Sequence, residues 1–205
     1  MRLDVCSRLL AIPLLASLAA CGAGALRAPG PAPAAVGLRP SNLQIQLEER
    51  FYPVSGRSAR ALNQALSLNG PRAGGRPAHA LTEWHLNWSY RPVRSGSACA
   101  SQRPSVTVGI VTTLPRWTDL SGASERLVSD WALFLARLRD HESTHQHLAL
   151  EGGRELLRSL ESLEAPSCEL LEQEAQRVVR RLEATYQEQQ LRFDEESEYG
   201  RRLTP

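Results

Sequence analysis

The hydrophobic period of the chain changes near Trp117, and that change restricts the fold more than any other feature. Before it, apolar residues alternate with polar ones. Trp84, Leu86, Trp88 and Tyr90 are separated by His85, Asn87 and Ser89, which sets an aromatic face against a polar one and marks a strand. Leu43, Ile45 and Leu47 alternate with Gln44 and Gln46 in a half-buried strand running towards Val54. Ser105 to Thr113 is rich in Val, Ile and Thr and reads as a third strand. One helix interrupts this half: Ser58 to Leu68 puts Ala59, Leu62, Ala65 and Leu66 at helical spacing until Asn69-Gly70-Pro71 stops it. After Trp117 the apolar spacing is three and four. Leu127, Trp131, Phe134, Leu135 and Leu138 make one stripe, and Leu156, Leu157, Leu160 and Leu163 follow it past an interruption at Gly152-Gly153. Pro166-Ser167 divides these from Leu171, Ala175, Val178, Leu182 and Tyr186. The expected fold is α+β: a small antiparallel sheet with one short helix, then a long helix and a C-terminal helix.

The first forty residues follow neither period. Arg2 and Arg8 precede an apolar run from Leu9 to Ala20, about a dozen residues and short of the about 20 that span a bilayer. The run ends Leu18-Ala19-Ala20-Cys21, which resembles the bacterial lipoprotein signal. The expected division is a signal peptide over 1–20, a lipidated Cys21 with an Ala/Pro/Gly-rich linker to 40, and one folded domain over 41–205. No Asp follows Cys21, so the expected place is the cell envelope, facing the periplasm from the outer membrane. The 24 basic residues are all arginine and face 22 acids, a formal charge of +2 that is too balanced for a dedicated nucleic-acid binder. With 42% hydrophobic and 22% charged residues, neither a disordered nor a fibrous chain fits.

The residues with chemistry to offer lie in the second half. His141-Glu142-Ser143-Thr144-His145 is H-E-x-x-H. On a helix, imidazoles four apart stack on one face and reach one zinc ion, while Glu142, offset by one residue, is placed to take a proton from water rather than to ligate. Extending the stripe from Leu127 through Leu138 reaches the face of His141, Glu142 and His145, so these polar groups point inward. His147 falls about 200° further round and cannot join them. His85 sits on the polar face of its strand, and His79 carries no pattern. A continuation to H-E-x-x-H-x-x-G-x-x-H fails, because Leu148 and Glu151 stand where Gly and His would be. A third ligand from the last helix leaves Glu169, Glu172, Glu174, Glu183 and Glu188 as ambiguous choices.

Tyr52-Pro53-Val54-Ser55-Gly56, Thr82-Glu83-Trp84 with Trp88-Ser89-Tyr90, Cys99, Leu114-Pro115-Arg116-Trp117, His141-Glu142 with His145, Cys168 and a closing segment from Phe193 to Gly200 together carry a resemblance. The chain resembles, over roughly residues 43–200, a bacterial domain-of-unknown-function family described as predicted secreted zinc-dependent proteases of the zincin type. That family closes on Tyr-Asp-x-x-Thr-x-His-Gly. Here Asp194 and Gly200 match, Phe193 and Ser197 are near equivalents, and Tyr199 stands in place of His. Tyr199 or Asp194 is then the candidate third ligand, with Glu198 as a further substitute.

With Cys6 in the signal and Cys21 lipidated, Cys99 and Cys168 remain as one pair in an oxidising compartment, and a disulfide is expected. The leading expectation is a lipid-anchored zinc metallopeptidase acting on a peptide or protein of the cell envelope that adds as a strand along the sheet edge, with Glu142 as general base. The alternative is a non-catalytic zinc-binding envelope lipoprotein, an adaptor that keeps the zincin fold.

Overall fold

The computed structural model describes residues 42–197. Cys21, the linker and Tyr199 lie outside them, as do Glu198 and Gly200. The chain runs β1 (Leu43–Val54), α1 (Ala59–Asn69), a short hairpin of β2 (Arg72–Ala73) and β3 (Arg76–Pro77), β4 (Leu81–Ser95), β5 (Ala98–Trp117), α2 (Glu125–Glu161), β6 (Glu164–Ala165) and α3 (Cys168–Glu196). Each helix starts at a serine whose hydroxyl accepts a backbone N–H of the first turn: Ser58 from Ala61, Ser124 from Leu127 and Ser167 from Leu170.

The α+β expectation is correct, but the sheet is mixed rather than wholly antiparallel. β5 lies in the middle, antiparallel to β4 over almost its whole length, and β1 pairs with it in parallel from Leu43↔Val106 to Val54↔Trp117. Alternation alone carries no strand direction. The direction follows from the path through α1 and the β2–β3 hairpin, which returns the chain to the far side of β5 before β4 begins.

One face of the sheet is covered by α2 and α3, and among the described residues the buried apolar side chains form two large clusters and a small third one of Cys99, Ala165 and Leu171. Val106, Val108 and Ile110 of β5 and Leu86 of β4 meet Ala149, Leu156 and Leu160 of α2 and Val178, Leu182 and Tyr186 of α3. Tyr52, Val54, Leu62, Leu66, Leu114 and Trp117 meet Leu127, Trp131, Phe134 and Leu138. The segments around Tyr52 and Leu114 thus serve the second cluster: the Tyr52 hydroxyl donates to the His79 carbonyl at 2.6 Å, and Trp117 Nε1 to the Gly56 carbonyl at 3.0 Å. Between Leu138 of one cluster and Ala149 of the other, α2 carries its polar residues 141–146. The edge strand β1 is less covered than its alternation suggests: Leu43 packs on the first cluster and Tyr52 and Val54 belong to the second, but Leu47 between them is 64% exposed.

Gly152-Gly153 does not interrupt α2; it lets the helix lie close to its neighbours. A Cβ on Gly153 would fall well inside contact distance of Val108 Cγ2, and one on Gly152 would sit 3.1 Å from the Tyr186 ring. Overpacking of this kind costs about 1–3 kcal/mol, and the better helix propensity of alanine returns about 1. The approach to Val108 is close enough to put Gly153→Ala at the upper end of that cost, so about 2 kcal/mol net is expected to be lost in denaturant unfolding. A variant as stable as the parent contradicts this packing.

Cys99 and Cys168 form a disulfide with their Cα atoms 5.1 Å apart, tying the start of β5 to the first turn of α3. The bond spans 69 residues, for which the chain-entropy account gives about 4 kcal/mol. Replacing both cysteines by serine should lower unfolding stability by that order, and an unchanged midpoint would show that the closed loop contributes nothing.

Candidate metal centre

The inward face of α2 carries the two histidines where the stripe places them. Glu142 is 4% and His145 7% exposed, and the His141 side chain is 11% exposed. His147 lies on the outer face beside Glu151, and His85 covers Gly109 on the outer side of the sheet. α3 runs alongside α2 and brings Asp194 to the same point. His145 Nε2 lies 3.2 Å from His141 Nε2 and 3.1 Å from Asp194 Oδ1, and His141 Nε2 lies 3.3 Å from that oxygen. Among the described residues these three make the group able to hold a metal ion. The glutamates of α3 do not join it: Glu172 bonds Tyr90, while Glu174 and Glu188 pair with Arg177 and Arg192 of the same helix.

Gln190, one helical turn before Asp194 on α3, fixes the ring of His145. Its Nε2 donates to the His145 carbonyl at 3.0 Å, which leaves its Oε1 facing His145 Nδ1 in a short hydrogen bond. Those partners put the His145 proton on Nδ1 and turn the Nε2 lone pair towards Asp194 and His141. Phe193 closes the outer side, stacked on His141 at 4.8 Å and edge-on to His145 at 5.1 Å.

The charges answer to this crowding. Burial works against the charged form of His145, but its hydrogen bonds with Asp194 and Gln190 prevail and raise its pKa above the usual value. Burial alone would raise Asp194 too, yet the hydrogen bonds of His141 and His145 hold its carboxyl well below the usual carboxylate range. Glu142 goes the other way: burial pushes it up, against the Thr82 hydrogen bond and the two histidines. Its Oε2 accepts from Thr82 Oγ1 at 2.7 Å.

A cleft of about 440 Å³ opens over this group. Its walls are Ala80 to Trp84 of the chain entering and forming β4, Leu138 on α2, and Gln187 and Leu191 on α3, with His79 and Arg72 at one end. Among the described residues β4 is an edge strand, so one row of its backbone groups has no strand partner there.

Sequence reasoning passed over Gln190, Thr112 and Gln146, though a signal for them existed. Gln190 continues the Leu182–Tyr186 stripe by four residues and Asp194 by four more, and Thr112 continues the Val106–Val108–Ile110 alternation by two. Each is a polar residue at an inward register position of an apolar face.

No curated protein and no solved structure matches this chain. A family model matches residues 49–200, a span that holds both motif-bearing halves, the two histidines and Asp194. The chain belongs to the family of bacterial proteins of unknown function (DUF922).

Proposed function

We propose that this protein is a zinc-dependent peptidase, anchored by a lipid on Cys21 and facing the periplasm. One observation carries the zinc reading. Three ligand atoms stand 3.1, 3.2 and 3.3 Å apart. Two ligands held 2.0–2.1 Å from a tetrahedral zinc are separated by about 3.3 Å, so the three atoms match one face of such a coordination shell. The chemistry of the donors agrees: two imidazole nitrogens and a carboxylate oxygen at this range share a proton in the metal-free chain, and a zinc ion would take that proton's place. Zinc, when bound to His141, His145 and Asp194, supplies the Lewis acidity that makes water a nucleophile at neutral pH.

The residues of the chain do the rest. Glu142 lies buried beside the three ligands, and a carboxyl pushed up by burial is a better proton acceptor than an exposed one. The free edge of β4 offers backbone donors and acceptors to an extended peptide, which would lie past Thr82 with its reacting bond over Glu142. Phe193 packs against both imidazole rings and Leu138 lines the cleft beside them, and such apolar neighbours strengthen the electrostatic contacts they flank. Zinc analysis of the purified chain, with a peptidase assay of the parent and of Glu142→Gln, tests the reading. A zinc-loaded parent that cleaves no peptide would leave the non-catalytic zinc-binding lipoprotein in its place.

The anchor has its own test. Leu18-Ala19-Ala20-Cys21 motivates it, and Cys21→Ala is expected to abolish incorporation of labelled fatty acid and release the protein from the membrane fraction. Unchanged labelling and fractionation would remove the lipid from the proposal.

A further inference from the structure

Glu142 and Gln146 are one turn apart on α2, and a line of hydrogen bonds leaves the helix at one and returns at the other. Gln146 Nε2 donates to Thr112 Oγ1 on β5 at 2.9 Å. Thr112 Oγ1 lies 3.1 Å from Thr82 Oγ1 on β4, which bonds Glu142 Oε2 at 2.7 Å. Thr112 is 2% exposed and sits at the inward position of β5 where Ile110 and Leu114 flank it. A polar side chain in that place needs a partner at both its donor and its acceptor.

The proton count sets the direction of the line. Thr82 Oγ1 donates to Glu142 Oε2, so its single hydroxyl proton is used there. Thr112 must then supply the proton between the two threonines, and its own oxygen must accept from a group that has hydrogen to give. The amide of Gln146 is that group. Three links need three protons, and the line holds one on each of Gln146, Thr112 and Thr82. Turning the amide to present its oxygen would leave one link without a proton.

We propose that Gln146 and Thr112 are positioning residues of this site: through Thr82 they reserve Oε2 of Glu142 as a permanent acceptor and leave Oε1 as the atom that receives the proton. The proposal rests on the reading of Glu142 as base. It explains why the line spans both strands. The carboxylate is referred to β4, along whose edge the peptide lies, and to β5, the central strand, rather than to its own helix alone. Neither Gln146 nor Thr112 is among the groups that line the cleft, so both act only through Thr82.

The test uses the full chain labelled with carbon-13 at glutamate carboxyls, the Glu142 signal being the one absent from Glu142→Gln. Thr112→Val keeps the shape and removes the hydroxyl, and Gln146→Glu replaces donors by acceptors and leaves the line one proton short. Both are expected to move the Glu142 signal in the metal-free protein, while Thr112→Ser, which keeps the hydroxyl, leaves it in place. Bound zinc per chain stays the same in all three. On a peptide that the parent cleaves, kcat should fall about tenfold in Thr112→Val and Gln146→Glu with KM unchanged, the upper end of what a hydrogen bond between neutral groups is worth, and Thr112→Ser should bring it back. A Glu142 signal that is the same in both variants and the parent overturns the proposal, and Gln146→Glu decides the point if Thr112→Val fails to fold. A signal that moves while kcat stays at the parent value overturns the positioning role. If the signal moves but the parent cleaves no peptide, the line of donors stands and the peptidase reading falls.

Discussion

Asp194→Ala is expected to fold and to lose zinc at micromolar concentrations, where the parent binds one ion per chain. The side chain is 24% exposed and belongs to none of the apolar clusters, so its removal leaves the packing intact. It holds the apex of the three-atom group, 3.1 Å from one histidine and 3.3 Å from the other. Losing a residue that merely orients a ligand costs about 10–100-fold in metal affinity, and losing one of three protein ligands costs more. Tyr199→Phe is the control, because a phenol oxygen is the other candidate from the closing motif. Zinc kept in Asp194→Ala and lost in Tyr199→Phe would transfer the ligand role to Tyr199. Equilibrium dialysis with zinc, beside melting curves of both variants, reads affinity and folding separately.

The same ligands give zinc uptake a pH dependence. His145 must be neutral to ligate, and its pKa is raised above 6.5, with burial opposing and the Asp194 and Gln190 hydrogen bonds prevailing. Affinity therefore falls as pH drops through a value above 6.5. The metal-free protein has the opposite trend. A raised histidine contributes stability that is complete below its unfolded pKa and is lost as pH rises through the folded one. Asp194, depressed from 3.8, contributes stability present above that value and lost only as pH falls through its folded pKa. Their mutual support in the metal-free chain is fullest between 3.8 and 6.5, and the increment from zinc grows as pH rises beyond it. At a hundredfold excess of zinc over its dissociation constant that increment is about 2.7 kcal/mol. Melts with and without zinc between about pH 5 and pH 8 measure it. An increment that does not change with pH would show that His145 gives up no proton on binding.

Glu142→Gln is expected to bind zinc as the parent does and to hydrolyse peptide about 10²–10⁴ times more slowly, the usual worth of a positioned acid–base group. Glutamine keeps the shape and an acceptor for Thr82 but cannot take a proton from water. The variant should also melt higher than the parent at neutral pH without metal. Burial raises the Glu142 pKa, so the ionised carboxylate lowers stability above its unfolded value, and a neutral amide removes that penalty. Gain of stability with loss of rate distinguishes a buried base from a residue that only packs. Hydrolysis at the parent rate in Glu142→Gln would place the base elsewhere.

Much of this architecture was legible as stripes. The alternation through Trp84 and Leu86 and the three–four spacing from Leu127 to Leu138 predict which faces are inward, because burying apolar surface is favourable whatever the neighbour turns out to be. Polar residues at the continuation of such a stripe mark the site on each element separately: His141, Glu142 and His145 on α2, Thr112 on β5, and Gln190 and Asp194 on α3. Local spacing also determines that the two histidines share a face, since four residues make about one turn. What spacing along one element cannot carry is the register between elements. The parallel pairing of β1 with β5, the passage of α2 through Gly152-Gly153, and the choice of Asp194 over five glutamates of the same helix depend on how far α2 slides along the sheet and along α3. That sliding is decided by close packing at distant points, by Gly153 against Val108 and by the Cys99–Cys168 bond at the far end of α3. Hydrophobic burial is non-directional and sets the faces from the sequence alone, whereas packing and hydrogen bonding are short-ranged and set the partners only once the chain has folded.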